Sequence, residues 1–337
     1  MKTICFYKNQ WEKDYLSENL EGGEMIFLEG SISDHPDFSD SEVEVLTVFV
    51  KSHIGAEELD RFPNLKFIAT RSTGFDHINL EEADKRGIVV SNVPTYGENT
   101  VAEFAFALLL NLSRKICSSY KRVLEQGSFS QESLSGFDLR GKTIGIIGAG
   151  NIGRHSIRIA KGFGMEVLAF DIKKDEEFAK EVGFKYADFD EILQTADIIS
   201  LHVPYNPHTH HLINKENISS IKQGVYLINT SRGAVVETSA LVEALEKGIL
   251  AGAGLDVLEE EGYMGNDTEL LADDHPDPET LKVLLSNQYL IDHPNVIITP
   301  HNAFQTKEAI ERIFKTTVEN IKAFEEGEPK NVVEVKK

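Results

Sequence analysis

The chain has 337 residues, 41% of them apolar, with 34 Lys and Arg against 55 Asp and Glu and a formal net charge of −21. The length suggests two domains and the apolar share can fill their cores. The acidic balance excludes the clustered cations that nucleic acid requires, and it leaves any anionic ligand to be captured by local positive groups. Two cysteines, Cys5 and Cys117, form neither a disulfide framework nor a metal spacing. The opening MKTICFYKNQ lacks an apolar signal core, and the longest greasy stretch, 104–110, is too short for a bilayer. A soluble protein in a reducing, cytoplasmic setting is expected.

Taken in order, residues 1–95 carry apolar runs at 3–7, 25–28, 43–50, 66–69 and 88–90, separated by polar, partly helical stretches. This alternation predicts an α/β layer on a parallel sheet. After the fourth run comes Arg71-Ser72-Thr73-Gly74-Phe75-Asp76, where a turn at Gly74 would offer backbone N–H groups to a carboxylate. Asn92-Val93-Pro94 breaks the rhythm. One long helix is then predicted from Glu98 to about Glu125, with Asn99-Thr100 near its start and Gly127 beyond its end. Its VAEFAFALLL run is apolar nearly all round, so it should be buried, between domains.

The densest signal is KTIGIIGAGNIGRHSIRIAKGFGMEVLAFD, residues 142–171. An apolar strand leads into Gly148-Ala149-Gly150-Asn151-Ile152-Gly153, a helix follows, and a second strand ends at Asp171. Gly148 suits a tight turn, Gly150 lets backbone approach a pyrophosphate, and Gly153 lets the helix pack against the strand. The diphosphate would meet free N–H groups at the helix N-terminus. Asp171 follows Gly153 by 18 residues, close to where a carboxylate grips the adenosine ribose. The unit predicts a dinucleotide site.

Beyond it, apolar runs at 198–203, 225–229, 251–255 and 296–299 end in Pro204, Ser231-Arg232, Asp256 and His301. Ligands of an open parallel sheet collect at such carboxyl ends, so one crevice can gather residues far apart in the chain. Arg232, beside Gly233, is suited to a two-pronged grip on a carboxylate. His301, held after Thr299-Pro300, can take or give a proton during oxidation of an alcohol. A carboxylate partner would hold its imidazole in one tautomer. Glu259, Glu260 and Glu261 are all candidates, and spacing does not choose among them. His208-Thr209-His210-His211 lacks the paired spacing and nearby acid of a helical zinc motif, and it reads as a loop and helix start rather than a metal site. The helix 306–325 should return to the first domain.

The stretches RSTGFDHIN, VPTYGENTVAE, GIIGAGNIGR, SLHVPYNPHTHHLIN, YLINTSRGAVVE, GLDVLEEE and VIITPHNAF together resemble the D-isomer-specific 2-hydroxy acid dehydrogenases over essentially the whole chain, the lactate-type members most closely. The resemblance implies two Rossmann-like or flavodoxin-like doubly wound parallel-sheet α/β domains. The substrate domain would be discontinuous, 1–97 and 304–337, and the NAD-binding domain would span 98–303. Arg232 would be the substrate-carboxylate ligand, His301 the acid/base and Glu261, five residues beyond Asp256, its paired acid. Gly148, Gly150 and Gly153, Asn151, Ile152, Asp171, Val203, Pro204, Thr230, Ser231 and Asp256, with Thr209 and Thr100, fall on NAD-contacting positions. Thr73, Gly74, Tyr96 and Phe304 fall on substrate-contacting ones. His155 stands where a small or aliphatic residue is usual. The acidic segment 262–293, with a helix around 281–290, resembles a longer loop of lactate-type members.

The implied activity is NAD-dependent reduction of a small 2-oxo acid, first of all pyruvate to D-lactate, in a homodimer that needs no metal. Tyr96 and Phe304 would narrow the pocket, and the domains would close over substrate and cofactor to exclude water. Glyoxylate, hydroxypyruvate, or a branched or aromatic 2-oxo acid is the alternative substrate. An NADH-sensing corepressor is the alternative of another class.

Overall fold

The computed structural model describes residues 1–20, 22–263 and 277–334. These form two compact units, Met1–Tyr96 with Thr306–Lys337, and Gly97–Gln305. No helix among the described residues is long and apolar enough to cross a membrane.

The first unit is built on five parallel strands, β1 (Lys2–Tyr7), β2 (Glu24–Glu29), β3 (Val45–Val48), β4 (Phe67–Thr70) and β5 (Val89–Ser91), in the order β2-β1-β3-β4-β5. Strands β3 and β4 are buried at every position, as a parallel sheet covered on both faces demands. Helices α1 (Gln10–Asn19), α2 (Ala56–Asp60) and α3 (Leu80–Lys85) connect them. A further helix, Lys307–Glu325, returns from the far end of the chain. It buries Ile313, Phe314, Thr317, Val318 and Ile321, a helical period along one face, and Thr306 caps it by accepting the Ala309 N–H at 3.2 Å. Phe324 stacks on Phe67 of β4 with centroids 4.4 Å apart, and Phe314 meets Trp11 of α1 edge-on at 4.9 Å. Removing a ring so buried as Phe67 costs roughly 3–5 kcal/mol. Val332 bridges Ser91 antiparallel, and so covers the open edge of β5.

The second unit carries seven parallel strands: β6 (Thr143–Ile147), β7 (Glu166–Phe170), β8 (Lys185–Tyr186), β9 (Ile198–Leu201), β10 (Val225–Asn229), β11 (Leu250–Leu255) and β12 (Val296–Ile298). Their order is β12-β11-β10-β9-β6-β7-β8. From β6 the chain first winds outward through β7 and β8, then crosses back to β9 and winds the other way. The switch point therefore lies between β6 and β9, where a doubly wound sheet opens its crevice.

The long predicted helix is two helices, α4 (Glu98–Arg114) and α5 (Ile116–Gln126), broken at Lys115, whose φ of 55° is left-handed. No glycine or proline announces the break. The Ser113 carbonyl accepts from Phe137 N at 2.9 Å, and the Asn111 side chain accepts the Cys117 N–H at 2.8 Å. A tertiary partner and a local side chain thus take over the bonds a continuous helix would have made. The remaining α-helices of this unit among the described residues are α6 (Asn151–Gly162), α7 (Glu176–Val182), α8 (Phe189–Thr195), α9 (Thr238–Glu246) and α10 (Pro278–Asp292). The last of these contains the helix predicted around 281–290; the acidic stretch before it lies largely outside the described residues.

Candidate active site

The crevice of the second unit starts at the glycine turn. Gly148 has φ +97°, and a Cβ there would come within 2.7 Å of the His202 carbonyl oxygen, so glycine is required on both counts. A Cβ on Gly153 would stand 1.9 Å from the Gly148 oxygen, which measures how closely the first turn of α6 sits on the end of β6. At Gly150 the same construction meets nothing within 4 Å. Gly150 is also the N-cap of α6, with no side-chain cap bond and no acid in the first turn, and Asn151 and Ile152 follow it. The helix therefore presents uncapped N–H groups and its positive dipole end to open space, which fits a diphosphate.

Asp171 closes the turn from the end of β7. Its carboxylate accepts from Ala149 N at 2.7 Å and Lys173 N at 2.8 Å. Pro204 and Thr209 lie on the loop after β9, where Thr209 Oγ1 donates to the Pro204 oxygen at 2.6 Å and accepts from Asn206 N at 2.9 Å. Val203 precedes that loop half-buried, and Thr100 is buried in the first turn of α4. Among the described residues, three buried polar atoms at these strand ends have no partner: His202 Nδ1, Thr230 Oγ1 and Asn302 Oδ1. Orphaned polar atoms at the carboxyl ends of β9, β10 and β12 fit a polar ligand that would satisfy them.

The loop after β10 is held by Asn229, which is 1% exposed. Its Oδ1 accepts from Ser231 N at 3.0 Å and Ser231 Oγ at 2.7 Å, and its Nδ2 donates to the Arg232 oxygen at 2.9 Å. That buried amide has no counterpart among the sequence-based site residues, although a lone Asn closing an apolar strand was the available signal. Arg232 Nη1 donates to the Ser231 oxygen at 2.8 Å.

The loop after β12 is held by Asp256. This carboxylate, 1% exposed, accepts from Thr299 Oγ1 at 2.5 Å, Asn302 N at 3.0 Å and Ala303 N at 2.8 Å. Burial pushes its pKa above the usual carboxylate value despite those bonds. The Asp256 backbone oxygen accepts from His301 N at 2.9 Å, and His301 sits at φ 51°. A histidine in the left-handed region persists only where its surroundings over-determine it, and here Asp256 grips the loop on either side. Phe304 follows two residues after Asn302, half-buried.

His301 Nδ1 lies 2.5 Å from Glu261 Oε1, and Glu261 Oε2 accepts the Leu258 N–H at 3.2 Å. Burial works to raise the Glu261 pKa. The bond and charge of His301, the Leu258 N–H and the nearby charge of Arg232 outweigh it, so the group lies below its ordinary value. An ionised Glu261 accepts Nδ1–H, which leaves Nε2 as the working nitrogen of His301. Arg232, Glu261 and His301 are thus brought into one electrostatic cluster, though three different loops carry them. Among the described residues no group of three His, Cys, Asp or Glu is placed to hold a metal ion.

Thr73, Gly74 and Tyr96 belong to the first unit. Thr73 Oγ1 donates to the Val93 oxygen at 2.8 Å, Ser72 Oγ to the Gly74 oxygen at 2.6 Å, and Arg312 Nε to the Tyr96 oxygen at 2.5 Å. Behind them Arg71 is buried, donating to Phe6 O at 2.5 Å and pairing with Glu12 at 3.3 Å.

Residues 106–303 match the family described as D-isomer specific 2-hydroxyacid dehydrogenase, NAD binding domain. The chain is 35% identical over 333 residues to the D-lactate dehydrogenase of Escherichia coli K12, covering 97% of this chain and 98% of that protein. It is 38% identical over 300 residues to the glyoxylate reductase of Thermococcus litoralis, covering 87% and 84%. Among solved structures, the D-lactate dehydrogenase of Aquifex aeolicus complexed with NAD and lactic acid superposes with a TM-score of 0.85 at 37% identity, over 97% of this chain and 96% of that one.

Proposed function

Because the chain belongs to the D-isomer-specific 2-hydroxyacid dehydrogenases, NAD-dependent oxidoreductases, we propose that it reduces pyruvate to D-lactate. In this reading the second unit holds NAD and the first is the substrate domain. The observation that carries the chemistry is the ionised Glu261 on Nδ1 of His301, with the Arg232 charge close enough to act on the same carboxylate. Lactate is favoured because the similarity to the D-lactate dehydrogenases runs nearly end to end on both chains.

Arg232 binds the carboxylate of the oxo acid through parallel N–H···O bonds and lends positive charge to the neighbouring carbonyl. When bound, NADH supplies the hydride that reaches C2. His301 Nε2 gives its proton to the oxygen of that carbon, and Glu261 stabilises the imidazolium beforehand and its orientation throughout. The turn Gly148–Gly153 would hold the diphosphate and Asp171 the adenosine ribose; a carboxylate there repels a 2′-phosphate, so NAD is preferred over NADP. Thr100, Val203, Pro204, Thr209, Thr230, Ser231 and Asp256 complete the NAD set of this reading.

Glyoxylate is the second reading, favoured by the similarity to the glyoxylate reductase. Steady-state kinetics with NADH and a panel of 2-oxo acids separates the two. A kcat/KM for pyruvate well above those for glyoxylate, hydroxypyruvate and phenylpyruvate is expected, and the reverse order would refute the lactate assignment.

A homodimer is part of the proposal. It is supported by α5, which buries none of its residues yet carries Ile116, Tyr120, Val123 and Leu124, 53%, 65%, 45% and 66% exposed, on one helical face. Light scattering on Leu124→Glu beside the wild type tests it; a wild-type monomer would refute it.

A further inference from the structure

The cluster of histidines after Pro204 contains a second His–carboxylate pair. His211 Nε2 lies 2.6 Å from Glu259 Oε1. Glu259 stands two residues before Glu261 on the same loop, and its side chain is only 10% exposed. The other carboxylate oxygen accepts from Thr238 N at 2.7 Å and Thr238 Oγ1 at 2.5 Å, at the start of α9. The backbone oxygen of Glu259 accepts from Asn287 Nδ2 of α10 at 2.7 Å. Both carboxylate oxygens and the backbone oxygen of this residue are therefore engaged.

Three loops meet there. His211 N donates to the Ala234 oxygen at 2.8 Å and Ile213 N to the Val235 oxygen at 3.2 Å, so the loop after β9 pairs with the segment that follows Arg232. That segment in turn lies against the loop after β11: a Cβ on Gly233 would stand 2.0 Å from the Leu258 carbonyl carbon and 2.3 Å from Glu259 N. Backbone strain concentrates at the same place. Of the six positive-φ residues other than glycine found among the described residues, His211 (49°), Glu260 (54°) and His301 (51°) belong to this assembly. Strain of this kind survives only where neighbouring contacts fix it. The left-handed Glu260 turns the chain between the two glutamates, sending Glu259 to His211 and Thr238 while Glu261 reaches His301.

We propose that His211 and Glu259 are positioning residues, a tie that holds the loop carrying Glu261 against the loop carrying Arg232. This rests on the assignment of Arg232, Glu261 and His301 made above. Neither residue of the tie is assigned contact with substrate. Without the His211 donor Glu259 keeps its bonds to Thr238 and Asn287 but loses its link to the loop after β9, which loosens the turn that aims Glu261; displacement of a reacting group by about 1 Å costs on the order of a hundredfold in rate.

The test compares His211→Leu, His211→Gln and Glu259→Gln with wild type and with Glu261→Gln. The readouts are kcat, KM for the 2-oxo acid, the pH profile of kcat, the NADH dissociation constant and thermal stability. His211→Leu should lower kcat by about 10- to 100-fold. It should also raise KM and move the alkaline limb of the profile downward, in the direction Glu261→Gln moves it. His211→Gln, which keeps an N–H donor, should restore most of the rate, and it serves if the leucine variant fails to fold. The NADH dissociation constant should change far less than kcat, since the glycine turn is held separately and Thr209 keeps its bonds to Pro204 and Asn206 within its own loop. Wild-type kcat and pH profile in both His211→Leu and Glu259→Gln, or a loss confined to thermal stability, overturns the tie. If Glu261→Gln itself behaves as wild type, the assignment of the site falls and this inference with it. If Glu261→Gln collapses while the His211 and Glu259 variants do not, only the tie is wrong.

Discussion

Acid should destabilise the second unit through His202, and the size of the effect can be worked out. The His202 carbonyl lies against the glycine turn, and its ring has Nε2 3.0 Å from Ser200 Oγ and, among the described residues, Nδ1 buried without a partner. Burial alone drives its pKa from 6.5 down to about 4. The folded protein therefore keeps the ring neutral, whereas the unfolded chain takes up a proton near 6.5. Because the folded value is the depressed one, stability is full above 6.5 and is lost as pH falls toward 4. The whole gap corresponds to about 3 kcal/mol, and about 2 kcal/mol of it is gone by roughly pH 5. Part of the residue meets solvent, which trims these figures rather than changing their sign. His202→Asn keeps a polar group for Ser200 and cannot titrate. Urea unfolding followed by circular dichroism, for both proteins at about pH 7.5 and about pH 5, isolates the contribution because all other titrating groups cancel in the difference. The wild type should lose about 2 kcal/mol relative to the variant across that interval. An equal separation at both pH values would refute the reasoning, as would an imidazole resonance for His202 titrating in the ordinary range.

Gly150→Ala and Gly153→Ala should part company. The first meets open space, so melting temperature should hold while NADH affinity drops by about tenfold, about 1.4 kcal/mol; the second drives a methyl into the Gly148 carbonyl and should cost about 1–3 kcal/mol or more in urea melts. Asp171→Ala should relax the discrimination against NADPH in kcat/KM, and unchanged discrimination would mean another group sets it. Arg232→Ala should chiefly raise KM, whereas His301→Ala should depress kcat by about 100- to 10,000-fold; a kcat within a few-fold of wild type would remove His301 from proton transfer.

Legibility in the sequence followed the range of the forces involved. Strands β6 and β10 stand where their apolar runs predict because burial on both faces writes itself as near-continuous hydrophobicity; β7 also stands on its run, although only alternate residues of it are fully buried. The two-residue β8 has no run long enough to register. The break at Lys115 depends on Phe137, brought up by tertiary packing, and on the Asn111 side chain folding back on Cys117 N, neither of them visible to local propensity. At the site, residue types and strand ends drew attention to Arg232, Asp256 and His301. The sequence could not tell Glu259 from Glu261, because the distinction lies in one left-handed residue between them. Nor could it see that Asp256 commits both carboxylate oxygens to the His301 loop, or that His211 answers to Glu259.

The return of helix Lys307–Glu325 to the first sheet has a consequence for biosynthesis. At roughly 5–20 residues per second, a ribosome needs roughly ten to forty seconds to make the intervening unit. Throughout that time Phe67, the residue at the start of β4 that Phe324 will cover, stands open on the nascent chain. The second unit can complete its own core meanwhile. The sheet that is translated first is thus finished last, and its uncovered apolar face is the surface most open to aggregation while synthesis continues.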